Sequence, residues 1–412
     1  MDAKIILFLI ILILSFDYLL NSVLSYLNYK SLSKPVPREL DNIYDESDYL
    51  KSQDYNKSIY WFNLITSSIT FIILLLVFNY ELLGKLDNVL RSFSFENEIS
   101  LSLLFFGSIF FINDMISMPF QLYRNFIIEE KFGFNKMSLR TFFLDKIKSY
   151  FLVIIVGGLL ISILLISIIY FSNSFWIYFW IIMSLFTVFI NLFYTSLILP
   201  IFNKLKPLED GSLKDKIYNY AKSVNFPLSN IFVIDGSKRS SKANAFFSGL
   251  GKSKKIVLYD TLIENHTEEE LVSILAHEVG HYKNNHILSN LILSILFTGF
   301  MLFVLSKFLF NSEISFALGG EISFRHFELF AFSILYSPIS YILGIFMNIK
   351  SRKNEYEADN FAVKTFDKIH LINALKNLSK DNLVNLTPNP VYVFVNFSHP
   401  TMHQRIKAMT HI

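Results

Sequence analysis

Five consecutive residues, His277-Glu278-Val279-Gly280-His281, carry the most specific chemical signal in this chain of 412 residues. Two histidines four apart on a helix lie about 40° around its axis and one turn along it, so both imidazoles can reach one tetrahedral zinc ion. The glutamate beside the first histidine stands where it can act as general base toward the attacking water. The pattern predicts a zinc metallopeptidase. Its flanks predict a well-started helix. Thr267 followed by Glu270 reads as a capping box, and Glu268 and Glu269 put negative charge in the first turn. Leu271, Ile274, Leu275 and Val279 then form an apolar stripe at helical spacing.

A catalytic zinc takes three protein ligands and keeps a fourth position open. The chain has no cysteine, so the third ligand must be His, Asp or Glu, and no disulfide or thiol nucleophile is available. His286 lies nine residues past His277, about 180° around a continuous helix, and so points away from the metal. It reads as a helix-end or structural residue. Asn284 and Ile287 occupy the places where a longer zinc motif would carry Gly and His. The stretch Ser351–Asp359 is the better source. Glu355 and Asp359 are four apart and share one helical face, while Glu357 points elsewhere. One carboxylate can bind zinc, and the other can accept the free N–H of a ligating histidine and fix its tautomer.

The elements that must carry these residues are mostly membrane helices. The chain is 52% hydrophobic, with 44 Phe and only 17% charged residues, unlike a soluble globular protein. Seven apolar segments are long enough to span a bilayer, at about 5–27, 59–80, 99–123, 149–172, 175–198, 288–310 and 327–348. The first is too long for a signal peptide, lacks a clear small-residue cleavage site and leads into further spans. A net charge of +3 is too small to suggest nucleic acid. Of the 37 lysines and arginines, 32 fall in the segments 28–58, 124–148, 199–287 and 349–412, and four on the alternate side. That bias predicts an N-terminus facing out, with the zinc helix and the C-terminal region facing the cytoplasm. Asp17, Asn113, Asp114 and Asn191 lie inside spans, where polar groups usually face a bundle interior or a wet cavity.

The organisation expected is therefore 1–198 for spans one to five, 199–287 for the first half of a protease domain, 288–348 for spans six and seven, and 349–412 for its second half. The first soluble block should hold an amphipathic helix near 212–224, strand-like runs at Ile231–Ile234, Asn244–Phe247 and Lys255–Tyr259, and then the zinc helix. The run at Asn244 reads as an edge strand able to pair with an extended peptide.

The pair of motifs, His-Glu-Val-Gly-His followed by Ser-Arg-Lys-Asn-Glu-Tyr-Glu-Ala-Asp, resembles the integral-membrane gluzincins, specifically the type I CAAX prenyl endopeptidases. The likeness extends through Val36–Leu40, Glu129–Lys136, Pro207–Gly211, Gly236–Ser241, Ile256–Leu262 and Ser398–Thr401, which is nearly the whole chain. The resemblance implies a mainly α protein: seven tilted helices around a large water-filled chamber, closed on the cytoplasmic side by an α+β zinc protease domain. It implies one Zn2+ per chain held by His277, His281 and Glu355, with Glu278 as general base and Asp359 as the partner that orients a ligand. It further implies that Asn244 holds the substrate main chain and that His399 and Arg405 help stabilise the oxyanion. The substrate it implies is the C-terminal tripeptide of an isoprenylated CAAX protein. The expected setting is a monomer among membrane lipid, without nucleic acid, in the endoplasmic reticulum membrane of a eukaryote or the inner membrane of a bacterium. Two alternatives stand beside it: a quality-control protease acting on unmodified proteins, and a transporter or scaffold with structural zinc. The second is weakened by Glu278, which structural ligation does not need.

Overall fold

The computed structural model describes residues 2–40, 43–93, 97–248 and 254–411. Two long helices open it, α1 (Ala3–Ser31) and α2 (Glu46–Asn79), followed by the short α3 (Leu82–Ser92) and by α4 (Glu98–Tyr123). Asp2, Asp45 and Asn97 cap α1, α2 and α4 by accepting backbone N–H groups of their first turns. Then α5 (Leu139–Leu152), α6 (Gly158–Phe171), α7 (Phe175–Phe193) and the one-turn α8 (Leu199–Phe202) form a 64-residue apolar run, Leu139–Phe202.

Straight, that run would be about 96 Å long, three times a hydrocarbon core. It breaks instead at Ser172, whose φ of 44° no helix accommodates, and α6 and α7 pack against each other. The run thus contains the two spans expected at 149–172 and 175–198. The soluble block follows: β1 (Leu205–Pro207), α9 (Ser212–Ser223), β2 (Leu228–Ile234), β3 (Ala245–Ser248) and β4 (Lys254–Tyr259). Next come α10 (Asp260–Asn265), α11 (Glu268–Lys283), α12 (His286–Phe308), α13 (Ser312–Ala317), α14 (Arg325–Leu335) and α15 (Ser337–Thr365). The chain closes with α16 (Lys368–Asp381), α17 (Pro390–Asn396) and α18 (Met402–Thr410).

The described residues hold five helical runs long and apolar enough to cross a membrane, or six when α14 and α15, bent by 47°, count as one. The sequence predicted seven spans; the 64-residue run, counted here as one, breaks at Ser172. Helix α15 does not stop at the membrane. Its first half is apolar and its second half carries Glu355 and Asp359, so one helix crosses the expected boundary at 348.

The sheet has the order β1-β2-β4-β3. β1 is antiparallel to β2, β2 parallel to β4, and β3 antiparallel to β4 in the register Ala245↔Leu258. β3 is therefore an edge strand, starting one residue after Asn244. β1 is an addition to the three strands expected from the sequence. One core unites the two soluble blocks: Leu271, Leu275 and Val279 of α11 join Ile217, Ile256, Leu371, Ile406 and Met409.

The polar residues of the spans find different partners. Asp17 accepts from Ser337 Oγ at 2.9 Å and lines a cavity of about 800 Å³ with Asn21, Asn28, Asn56 and Asn63. Asp114 is bonded to Lys146 and Tyr150, Asn191 donates to the Thr187 carbonyl of its own helix, and Asn113 is exposed. Of the four, Asp17 alone borders the large cavity.

Ser212, in the soluble block, and Ser312, on the connection after α12, are both exposed. Because the chain has no cysteine, Ser212→Cys and Ser312→Cys provide clean reporters. They should react with a membrane-impermeant thiol reagent from opposite faces of sealed vesicles. Labelling of both from one face would refute the span assignment.

Candidate active site

The capping box at the start of α11 forms as expected. Thr267 Oγ1 accepts the Glu270 N–H at 3.3 Å, and Glu270 Oε2 accepts the Thr267 N–H at 3.1 Å. The helix so started carries His277, Glu278 and His281. Opposite it, α15 brings Glu355 and Asp359, both buried. The two helices touch at Gly280. A Cβ there would stand 2.8 Å from the Cα and the carbonyl oxygen of Ala358.

Three groups converge in the gap. His277 Nε2 lies 3.1 Å from His281 Nε2 and 3.4 Å from Glu355 Oε2, and His281 Nε2 lies 3.2 Å from Glu355 Oε1. Ligand atoms about 2.05 Å from a tetrahedral zinc are about 3.3 Å from one another. The spacing fits. The proton arrangement fits as well. His277 Nδ1 donates to Asp359 Oδ1 at 2.8 Å, and His281 Nδ1 faces His286 Nδ1 at 3.0 Å. With hydrogens on both Nδ1 atoms, two bare Nε2 lone pairs point at each other beside a carboxylate. Glu355 Oε2 is buried without a hydrogen-bond partner among the described residues. A positive charge between these groups, a proton or a metal ion, relieves their repulsion. Among the described residues His277, His281 and Glu355 are the group placed to hold a metal ion.

Arg405, buried on α18, stands behind this group. Its Nε donates to Asp359 Oδ2 at 2.8 Å and one terminal nitrogen to Asp359 Oδ1 at 2.6 Å, while the other lies 3.5 Å from Glu355 Oε2. That guanidinium is largely committed to holding the two carboxylates. His399 is exposed, 3.4 Å from Glu355 Oε1, and accessible to substrate. Glu278, Asn244, His399 and Arg405 line one cavity of about 370 Å³ with the three converging groups.

Charge and burial tune the site. Burial pushes the Glu278 carboxyl above its ordinary pKa, the direction that suits a proton acceptor near neutral pH. Burial also opposes ionisation of Glu355 and Asp359, but His277 and His281 beside the former and Arg405 beside the latter hold both below the usual carboxylate range. Burial and Arg405 oppose protonation of His277, yet Asp359 and Glu355 outweigh them and lift its pKa to about 9.

The structure alters the reading of two residues. His286 is no ligand, but it does not turn away from the site. α11 ends at Lys283, and Asn285 adopts a left-handed conformation with φ 57°, so the continuous-helix angle does not apply. His286 begins α12 and bonds His281. Glu357 accepts from His286 Nε2 at 2.9 Å. The signal was the Asn284-Asn285 pair, since Asn is the non-glycine residue that most readily enters the left-handed region. Asn382 also borders the cavity, and no motif marked it.

Fold and site together define an integral-membrane metallopeptidase. Residues 25–204 match the family described as CAAX prenyl protease N-terminal, five membrane helices, and residues 207–412 match peptidase family M48. A probable CAAX prenyl protease 1 from Schizosaccharomyces pombe is 36% identical over 401 residues, covering 92% of this chain and 82% of the relative. CAAX prenyl protease 1 of Saccharomyces cerevisiae is 32% identical, covering 95% and 92%. The crystal structure of S. mikatae Ste24p superposes with a TM-score of 0.92 at 32% identity, covering 98% of each chain. The chain belongs to peptidase family M48. It is a multi-pass membrane metalloendopeptidase, and its substrates are peptides or proteins.

The helix contact supplies a direct test. Gly280→Ala adds one methyl group where only backbone fits, so α11 and α15 must separate by several tenths of an ångström. Metal content and peptidase activity should fall together, by tenfold or more in affinity, as expected when ligand placement is disturbed, to the order of about 10–100-fold. Gly107→Ala, with open space around it, should change neither.

Proposed function

We propose that the protein is a zinc endopeptidase that removes the C-terminal tripeptide of isoprenylated CAAX proteins. The observation that carries the zinc assignment is the convergence of two imidazole Nε2 atoms and a carboxylate oxygen without a hydrogen-bond partner, at 3.1 to 3.4 Å. His277, His281 and Glu355 would hold one Zn2+. When bound, zinc supplies a Lewis acid for the scissile carbonyl and acidifies water. Glu278 takes the proton of the attacking water and returns it to the departing amine nitrogen. Asp359 fixes the His277 tautomer through the 2.8 Å bond at Nδ1. His399 offers an N–H to the oxyanion from the open side, and Arg405 adds positive charge from behind. Asn244, at the head of the edge strand, would hold the substrate main chain in extended form.

The CAAX reading draws on the relatives' names and on the cavities. The site cavity shares Asn382 with the 800 Å³ cavity, which in turn shares Asp17 and Asn21 with one of about 550 Å³. The last is lined by Phe179, Met301, Leu302, Leu305 and Phe332, an apolar surface suited to an isoprenyl chain. All these groups come from one chain, so a monomer suffices. We place the site on the cytoplasmic side, following the distribution of basic residues, in the endoplasmic reticulum of a eukaryote or the inner membrane of a bacterium. The chain divides functionally at 198, 287 and 348, with the protease halves at 199–287 and 349–412.

Two measurements test this. Glu278→Gln keeps size and removes proton acceptance. It should abolish hydrolysis while retaining about one zinc per chain, and a variant with a tenth of normal activity would refute Glu278 as the base, a loss of about 1.4 kcal/mol being far too small for that role. A CAAX peptide should be cleaved at least about tenfold more efficiently when prenylated than when plain. That preference should shrink when Met301→Trp fills the apolar cavity. Equal cleavage of the two peptides would favour the quality-control reading and leave the zinc chemistry standing.

A further inference from the structure

The two imidazoles of the proposed zinc site are not held alike. His277 is anchored directly, with its Nδ1 on Asp359, and Asp359 is fixed in turn by Arg405. The Nδ1 of His281 meets no carboxylate among the described residues. It meets His286 Nδ1 at 3.0 Å, the two rings standing 5.2 Å apart at 71°. The far nitrogen of His286 meets Glu357 Oε2 at 2.9 Å. His286 is buried, whereas the Glu357 side chain is 42% exposed and has Lys353 at 3.7 Å.

Proton placement along this line follows once His281 binds through Nε2. Its only hydrogen is then on Nδ1, which donates to His286 Nδ1. His286 must therefore carry its own hydrogen on Nε2, which donates to the Glu357 carboxylate. Each atom has one role, and no group is left with a donor facing a donor. We propose that His286 and Glu357 are positioning residues for the metal site, acting through His281 as Asp359 and Arg405 act through His277. The inference rests on the zinc reading above and adds the second orienting arm. The geometry depends on Asn285, whose left-handed backbone turns His286 back toward the helix it has just left. Both arms take their carboxylate from α15, where Glu357 lies between Glu355 and Asp359. One helix thus supplies a candidate ligand and the carboxylate of each line.

His286→Phe keeps a flat ring and removes both nitrogens, and Glu357→Gln keeps an oxygen able to accept from His286 while Glu357→Leu does not. Zinc affinity is read by chelator competition on the purified full chain, together with the melting temperature of the metal-free form. His286→Phe should weaken zinc binding by at least about tenfold with an unchanged metal-free melting temperature. Glu357→Leu should weaken it several-fold, and Glu357→Gln should stay close to the unaltered protein. Zinc affinity within about twofold of the unaltered protein in His286→Phe would overturn the proposal. So would a loss of affinity matched by an equal fall in metal-free stability, because His286 would then be a packing residue. Failure of the unaltered chain to bind zinc would instead refute the metal assignment itself.

Discussion

The approach of α11 to α15 at Gly280 and Ala358 sets the distances from Glu355 to His277 and His281. The two histidines ride on one helix and the carboxylate on the other, so separation of the helices moves Glu355 away from His277 and His281. Glycine within a helix costs about 1 kcal/mol relative to alanine. Here the missing Cβ lets backbone meet backbone, with 2.8 Å between the vacant Cβ position and the Ala358 carbonyl oxygen. The contact also joins two environments. α11 is embedded in the soluble core through Leu271, Leu275 and Val279, while α15 begins among the membrane helices. A shift in either layer is felt at the ligands.

The same contact creates an electrostatic demand. Glu278, Glu355 and Asp359 bring three carboxylates into a largely buried space, with Arg405 as the one guanidinium there. Buried charge is tolerated when paired and hydrogen-bonded. Asp359 meets that condition through two bonds from Arg405, and Glu355 meets it only in part: it has Arg405 at 3.5 Å, but its Oε2 has no hydrogen bond among the described residues. A divalent ion between the imidazoles would bring the formal charge of the group to zero. Burial raising the Glu278 pKa has the same origin, and it keeps that residue ready to accept a proton.

Much of this was legible in the sequence because it was written in helical period. The spacing of His277 and His281 and the capping box at Thr267 report local geometry that tertiary contacts do not override. The pairing of Glu355 with Asp359 on one face is likewise a matter of period. His286 was misplaced because a single residue, Asn285, leaves the helical basin and invalidates an angle summed over nine residues. Glu357 was set aside correctly as a face that misses the site, yet a side chain can act through a neighbour that periodicity does not see. Strand β1 is three residues ending in Pro207, too short for alternation to register. The break in the apolar run Leu139–Phe202 was expected between 172 and 175, and the backbone turns there at Ser172, with φ 44°.

The cavities constrain how a lipidated substrate gains from binding. Asp17, Asn21, Ser25 and Asn28 follow one another at helical spacing along α1 and face the 800 Å³ space, whereas Phe179 and Leu302 line the space beyond Asp17. One region carries a row of polar side chains and the other is chiefly apolar, in the order required by a peptide with a hydrocarbon tail. An isoprenyl chain moved from water would gain about 0.8 kcal/mol per methylene. Its true starting point is the bilayer, already apolar, so transfer into the protein yields packing rather than a hydrophobic gain. Preference for a prenylated substrate would therefore come from orientation. The tail, held beyond Asp17, fixes where the peptide crosses the polar cavity and turns a search in the membrane into an intramolecular approach to the metal. Under that arrangement the polar wall of α1 is not a defect in a lipid-binding chamber. It would be the part that keeps the peptide backbone free to reach Asn244, as proposed above.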